Sequence, residues 1–264
     1  MSSPTVQELL VTLQAQLATI QQDFLIAVKD GNHRLVESLI ARGVSQETTS
    51  EALILATQRG YHDMVACLLT SGANANATTL FWAALNGRDE IINQILGHVA
   101  DVNAMTSWGS LPLFGAIRND HIHMVHKLLA HGVDIDAKDQ NGSTALIEAT
   151  NWGHCRIVDL LIEQGANVNA IDNEGYTALI LASIGGYVQI VDSLLGSDAN
   201  VDAEDCEEET ALEMAEWYGH DLVVELITKH IAARNVKKVQ TYFLENGGEA
   251  HGFTDLIPKI ASYL

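Results

Sequence analysis

Apolar residues recur along this chain at positions i, i+1, i+4 and i+5. Met64, Val65, Leu68 and Leu69 make one such set, Ile157, Val158, Leu161 and Ile162 a second, and Ile190, Val191, Leu194 and Leu195 a third. That spacing lays a broad apolar stripe on one helix face, suited to packing between neighbours. Ahead of each stripe stands a shorter apolar run closed by Ala-x-x-x-Gly, as in Ala149 to Gly153, Ala182 to Gly186 and Ala215 to Gly219. The pattern predicts pairs of helices joined by a tight turn. Ala116, Ala149, Ala182 and Ala215 are spaced by 33 residues; Ala27, Ala56 and Ala83 precede them at steps of 29 and 27, and the step from Ala83 to Ala116 is again 33. A fixed period of this length predicts a solenoid, one supersecondary unit stacked many times. The expected fold class is therefore all-α. An active site is not expected, because each unit mainly repeats structural residues.

The residues between the stripes sharpen this reading. First helices open Ser143-Thr144-Ala145-Leu146, Tyr176-Thr177-Ala178-Leu179 and Glu209-Thr210-Ala211-Leu212, with each Thr placed as an N-terminal cap. Turns read Gly153-His154 and Gly219-His220, with Gly60-Tyr61, Gly87-Arg88 and Gly186-Tyr187 as variants. Loops after the second helix read Gly72-Ala73-Asn74-Ala75-Asn76-Ala77 and Gly165-Ala166-Asn167-Val168-Asn169-Ala170. Together these motifs resemble the ankyrin-repeat family, whose unit is two antiparallel helices and a β-hairpin tip. The resemblance implies an α-solenoid of about seven repeats, at 23–45, 46–77, 78–104, 105–137, 138–170, 171–203 and 204–231. Some copies depart from the pattern. Val99 and Asp198 stand at loop-glycine positions, and Asp120 stands at a turn glycine.

The ends fall outside the repeats. Residues 1–22 are expected to form an N-terminal capping helix, with Thr5 and Glu8 as a capping box and Val6, Leu9, Leu10, Leu13, Leu17 and Ile20 on one face. A dimerising helix is the alternative for that stripe. Residues 232–264 are expected to be a helical cap or tail. Within it, Val236, Val239, Phe243 and Leu244 mark an apolar side, and a last short helix spans 254–264. Leu256-Ile257-Pro258 with Ile260, Tyr263 and Leu264 is faintly similar to the opening of an F-box.

Composition narrows the partners. The formal net charge of −20 on 264 residues opposes binding to nucleic acid or anionic membranes and favours basic partners. No apolar run approaches the roughly 18 residues of a membrane helix. The Met1-Ser2-Ser3-Pro4 start lacks a secretory pattern. The three scattered cysteines, Cys67, Cys155 and Cys206, fit a reducing compartment. An intracellular, cytoplasmic monomer is expected, with a secreted effector entering a host cytosol as the second reading.

Chemistry is sparse. His121, His123, His126 and His131 cluster in sequence, but zinc needs three or four converging ligands and no others converge with them. No cysteine has a spaced His and acid partner, and no phosphate-cradling glycine motif is present. The expectation is no catalytic residue, no metal and no cofactor. In the ankyrin family the hairpin tips and exposed sides of the first helices form a concave groove, and the register assigns Trp108, Arg118, Trp152, Tyr176, Ile184, Trp217, Tyr218, Glu174 and Glu207 to it. Exposed Trp and Tyr are the usual anchors of protein interfaces. Asp139, Asp172 and Asp205 add negative charge at the tips. The reading is a non-catalytic scaffold that binds a partner protein with a basic segment. The alternative is a substrate-recognition adaptor, or a secreted effector, whose C-terminal tail docks a second partner such as ubiquitin-ligase machinery.

Overall fold

The computed structural model describes residues 6–245, which form fourteen α-helices and no named strand. The helices cluster into two compact units that divide after Gln140. The first holds α1 (Val6–Lys29), α2 (His33–Ile40), α3 (Gln46–Arg59), α4 (His62–Thr70), α5 (Ala77–Leu85), α6 (Asp89–Leu96), α7 (Pro112–Arg118) and α8 (Ile122–Ala130). The second holds α9 (Ala145–Asn151), α10 (Cys155–Glu163), α11 (Ala178–Gly185), α12 (Val188–Gly196), α13 (Ala211–Trp217) and α14 (Asp221–Glu245). Odd-numbered helices are the first of each pair and even-numbered helices the second. Within the first unit α3 packs on α4 and α5, and α5 on α7; within the second α9, α11 and α13 form one row and α10, α12 and α14 the other.

The paired apolar spacing accounts for the core. Met64, Val65 and Leu68, then Ile91, Ile92 and Ile95, then Met124, Val125 and Leu128 are buried in the first unit. Ile157, Val158 and Leu161, then Ile190, Val191 and Leu194, then Val223 and Ile227 repeat the arrangement in the second. Helices this short are marginal alone, so packing of these stripes supplies their stability. Thr144, Thr177 and Thr210 cap α9, α11 and α13 by accepting the N–H of Ile147, Ile180 and Glu213. At α13 the cap is reciprocal: the Glu213 carboxylate accepts the Thr210 N–H at 2.8 Å, and bonds to Thr210 hold its carboxyl below the usual range.

Within each unit the residue after a turn glycine packs onto the turn glycine of the repeat before it, as Tyr61 does on Gly31 and Tyr187 on Gly153. A Cβ at Gly153 would lie 2.8 Å from the Tyr187 ring, and one at Gly186 2.6 Å from the His220 ring; both glycines also hold left-handed φ, 71° and 66°. Polar side chains reinforce the stack. Asn119 donates to the Leu85 carbonyl at 2.7 Å, Asn86 to Gln58 at 3.2 Å, and the His220 Nε2–H to Ile184 at 3.0 Å. The turn histidine at His220 thus bonds across repeats rather than only within its own turn.

The irregular copies resolve in two ways. Asp120 and Asp198 take the left-handed conformation of the glycines they replace, with φ of 54° and 61°. Val99 does not. Helix α6 ends early, at Leu96, with Gly97 as its right-handed cap, so the third repeat leaves its second helix by a different route. A third replacement escaped the sequence reading: Glu208, φ 65°, holds the tip position that Gly142 and Gly175 hold in earlier copies.

Both ends differ from the segmented reading. Helix α1 runs without a break through position 22 into the first repeat, and it is covered only from Ile20 onward; Phe24, Ala27 and Val28 are buried, but Leu10, Leu13 and Leu17 are exposed. Residues 10–19 therefore cap nothing within the described chain. Helix α14 likewise carries the second helix of the last repeat straight through residue 234. Arg234 grips the Asp202 carboxylate with both terminal nitrogens, at 2.8 and 3.0 Å, and Val239 is exposed rather than packed. The expected capping box at Thr5 and short helix at 254–264 lie outside the described residues.

Candidate protein-binding surface

The hairpin tips are locked by side chains. Asp172 Oδ1 accepts the N–H groups of Glu174 and Tyr176, both at 2.9 Å. Asp205 Oδ1 accepts those of Glu207 and Glu209, at 2.9 and 3.0 Å. Thr106 takes the same place in the fourth repeat, accepting the Ser110 N–H at 3.0 Å. Asp139 and Asp205 are buried. These acids fold the tips by the Asx-type bonding that favours Asp in turns. Neighbouring tips are joined by backbone bonds, from Asn173 N to Asn141 O at 2.9 Å and from Cys206 N to Glu174 O at 3.0 Å. The only bridge of β type among the described residues pairs Glu204 with Thr210, so the expected hairpins are turns with minimal ladder.

The second unit also carries exposed aromatic side chains. Trp217 is 81% exposed and ends α13; Tyr218 follows, 54% exposed, its ring stacked on His220 with centroids 6.4 Å apart. Trp152, 51% exposed, follows α9 and donates its indole N–H to Glu148 at 3.2 Å. Tyr176 is half-buried at the tip. Its hydroxyl pKa is raised, first by burial and then by the negative field of Asp205, Glu174, Glu207 and Asp172. Glu174 and Glu207 are exposed, and Ile184 is half-buried.

In the first unit two assigned residues meet on a third. The Trp108 ring sits edge-on to Phe81, centroids 5.5 Å apart, and the Arg118 guanidinium lies 5.7 Å over the same ring. Phe81 is buried. Trp82 is half-buried, edge-on to Phe81 at 5.9 Å.

Two family models for ankyrin repeats match this chain. The model of three copies covers residues 24–106 and 80–172, and the model of many copies covers 161–215. The chain belongs to the ankyrin-repeat family. No curated protein matches it significantly. Ankyrin repeats generally mediate protein–protein interaction, and the family is typically non-catalytic. No described helix is long and apolar enough to cross a membrane.

The ankyrin register explains what differs at equivalent positions. Asn86 and Asn119 reach back to bond the preceding repeat, whereas Trp152 and Tyr218 stand at the same register position and are exposed. Gly185 stands there in the sixth repeat, and a Cβ on it would lie 2.4 Å from the Tyr187 ring. Phe81 and Glu148 were not legible as site residues, because both occupy positions that read as the inner side of a first helix. On the turn edge of the first unit the ankyrin repeats also leave a polar cavity of about 720 Å³. His62 sits there between Asp63, at 2.9 Å, and Glu90, at 3.6 Å. Nearby Asp89 binds Lys127 and lies 3.4 Å from His123, and the Lys127 bond holds its carboxyl below the usual range.

Proposed function

We propose that the protein is a non-catalytic scaffold whose second unit grips a basic segment of a partner protein. The observation that carries this reading is the exposure of Trp217 and Tyr218 side by side, in a molecule whose net charge is −20. Two neighbouring aromatic rings held in water by a short, capped helix are an interface anchor in waiting. Glu174 and Glu207 stand on the tips around Tyr176, and Trp152 and Ile184 lie on earlier repeats of the same unit. Such a surface complements a peptide carrying Lys or Arg with an apolar side chain between them. Arg stacks on aromatic faces as well as pairing with carboxylates, so it is the preferred cation. Trp108 and Arg118, packed on Phe81, form a separate patch on the first unit, suited to further contacts with the same partner. The protein acts as a monomer.

The test is selection from a peptide library of mixed charge against the whole chain. Basic peptides with an aromatic or aliphatic residue should be enriched. Raising salt from about 50 to about 500 mM should slow their association far more than their dissociation, because long-range steering is screened. Enrichment of neutral or acidic peptides, or association indifferent to salt, would reduce the tip acids to a solvated edge.

A further inference from the structure

Away from the aromatic surface, α2 and α4 of the first unit bring three ligand-type side chains together. His33 opens α2 and Glu37 lies one turn later, so the two share a helix face. Cys67 faces them from α4. The imidazole nitrogen, a carboxylate oxygen and the sulfur all lie within 4.8 Å of one another. His33 Nε2 and Glu37 Oε1 are 3.4 Å apart. Two ligands on one tetrahedral zinc ion, with bonds of roughly 2.0–2.3 Å, sit about 3.5 Å apart, so that pair already has the required separation.

We propose that His33, Glu37 and Cys67 bind a zinc-class divalent cation, with water as the fourth ligand. The donor set selects the metal. A thiolate with an imidazole suits zinc and its neighbours and is a poor match for magnesium or calcium, which take oxygen ligands. Burial, and then the negative field of Glu37, push the Cys67 thiol above its usual range. Zinc reverses that balance. The dication takes the sulfur, the thiol proton leaves to solvent, and the Glu37 charge that opposed the thiolate now favours the metal. His33 also lines the 720 Å³ cavity of the turn edge, and Cys67 is half-buried rather than sealed, so an ion can enter. The site would pin α2 to α4, the second helices of the first two pairs.

The probe is cobalt(II) followed by zinc, added to tag-free, chelator-treated full chain. Cobalt should bind with one equivalent at saturation and give a thiolate-to-cobalt charge-transfer band that zinc displaces. Cys67→Ser should abolish the band, and Cys206→Ser, which alters an exposed thiol elsewhere, should leave it unchanged. Glu37→Gln changes an exposed side chain and should keep the helical fold; it should weaken cobalt binding at least tenfold. Zinc should raise the Tm of the native sequence and not that of Cys67→Ser. A band that survives Cys67→Ser but not Cys206→Ser would overturn the site. So would a missing band, undiminished binding in Glu37→Gln, or equal binding of magnesium, each of which reduces the trio to a histidine–carboxylate contact beside a half-buried thiol.

Discussion

The two units are built from the same repeat and use its variable positions in opposite ways. In the first, Trp108 and Arg118 rest on the buried Phe81 ring, and Asn86 and Asn119 are spent on bonds to the preceding repeat. In the second, the equivalent positions hold Trp152 and Tyr218 in solvent, with Trp217 beside them. The closest approach also differs. A Cβ at Gly115 of α7 would lie 2.4 Å from the Phe81 carbonyl oxygen, so α5 and α7 meet backbone to backbone. Glu148 fills the equivalent place in α9 and accepts the Trp152 indole. One helical pattern thus supplies a unit that spends these turn positions on bonds between repeats and a unit that leaves aromatic rings there in solvent. The residues that distinguish them are few and sit outside the apolar stripes.

The largest expected effect tests whether the units stand on separate cores. Leu161→Ala removes a fully buried side chain and should cost about 2–5 kcal/mol. In a stack stabilised between neighbours, hydrogen exchange should accelerate in α9 to α12 and stay unchanged in α1 to α4. Uniform acceleration from end to end would erase the distinction between the units.

Gly115→Ala sharpens the contrast from the other side. The added methyl meets backbone, which cannot rotate away, and should cost about 1–3 kcal/mol by overpacking. The loss should appear in chemical denaturation and localise to α5 and α7. A neutral substitution would show that the close approach of these helices is not a packing constraint.

A smaller effect of opposite sign is expected at the tip of the last repeat. Glu208 holds a left-handed φ of 65° where earlier tips have glycine. Glu208→Gly removes that strain and should stabilise the protein by about 0.5–1 kcal/mol, read as a raised denaturation midpoint. A lowered midpoint would mean that the Glu208 side chain contributes more than its backbone costs.

The smallest is a pH effect on α14. Bonds to Arg234 hold the Asp202 carboxyl below its usual range. A depressed folded pKa gives stability above the unfolded value, about pH 4, and loses it as pH falls through the folded value. Because Asp202 is largely exposed, the effect is modest. The Tm gap between the native sequence and Asp202→Asn should be widest near pH 6 and close toward pH 3. A gap independent of pH would mean that the pair contributes geometry rather than charge.

Much of the framework was legible because it obeys short-range rules. The stripes, threonine caps and turn glycines follow from helix periodicity and capping, and Asp120 and Asp198 kept the backbone of the glycines they replaced. Other features rest on distances that no spacing encodes. Asp172 and Asp205 read as surface charge, yet their oxygens close the tips. The stripe from Leu10 to Leu17 reads as a cap, yet nothing in the described chain covers it. His33, Glu37 and Cys67 converge only because α2 and α4 pack side by side. Trp152 read as a pure contact residue, but its bond to Glu148 gives it a structural share; Trp152→Ala should cost stability as well as binding.

Trp217 carries no such double role, and it offers the most direct test of the central claim. The affinity of a selected basic peptide is measured for the native sequence and for Trp217→Ala, with the melting temperature of each. Trp217 is 81% exposed, and an interface tryptophan is commonly worth about 2 kcal/mol or more. Binding is expected to weaken about thirtyfold at an unchanged melting temperature. Unchanged binding, or a loss that appears only with early unfolding, would contradict it and move the binding surface elsewhere on the repeats.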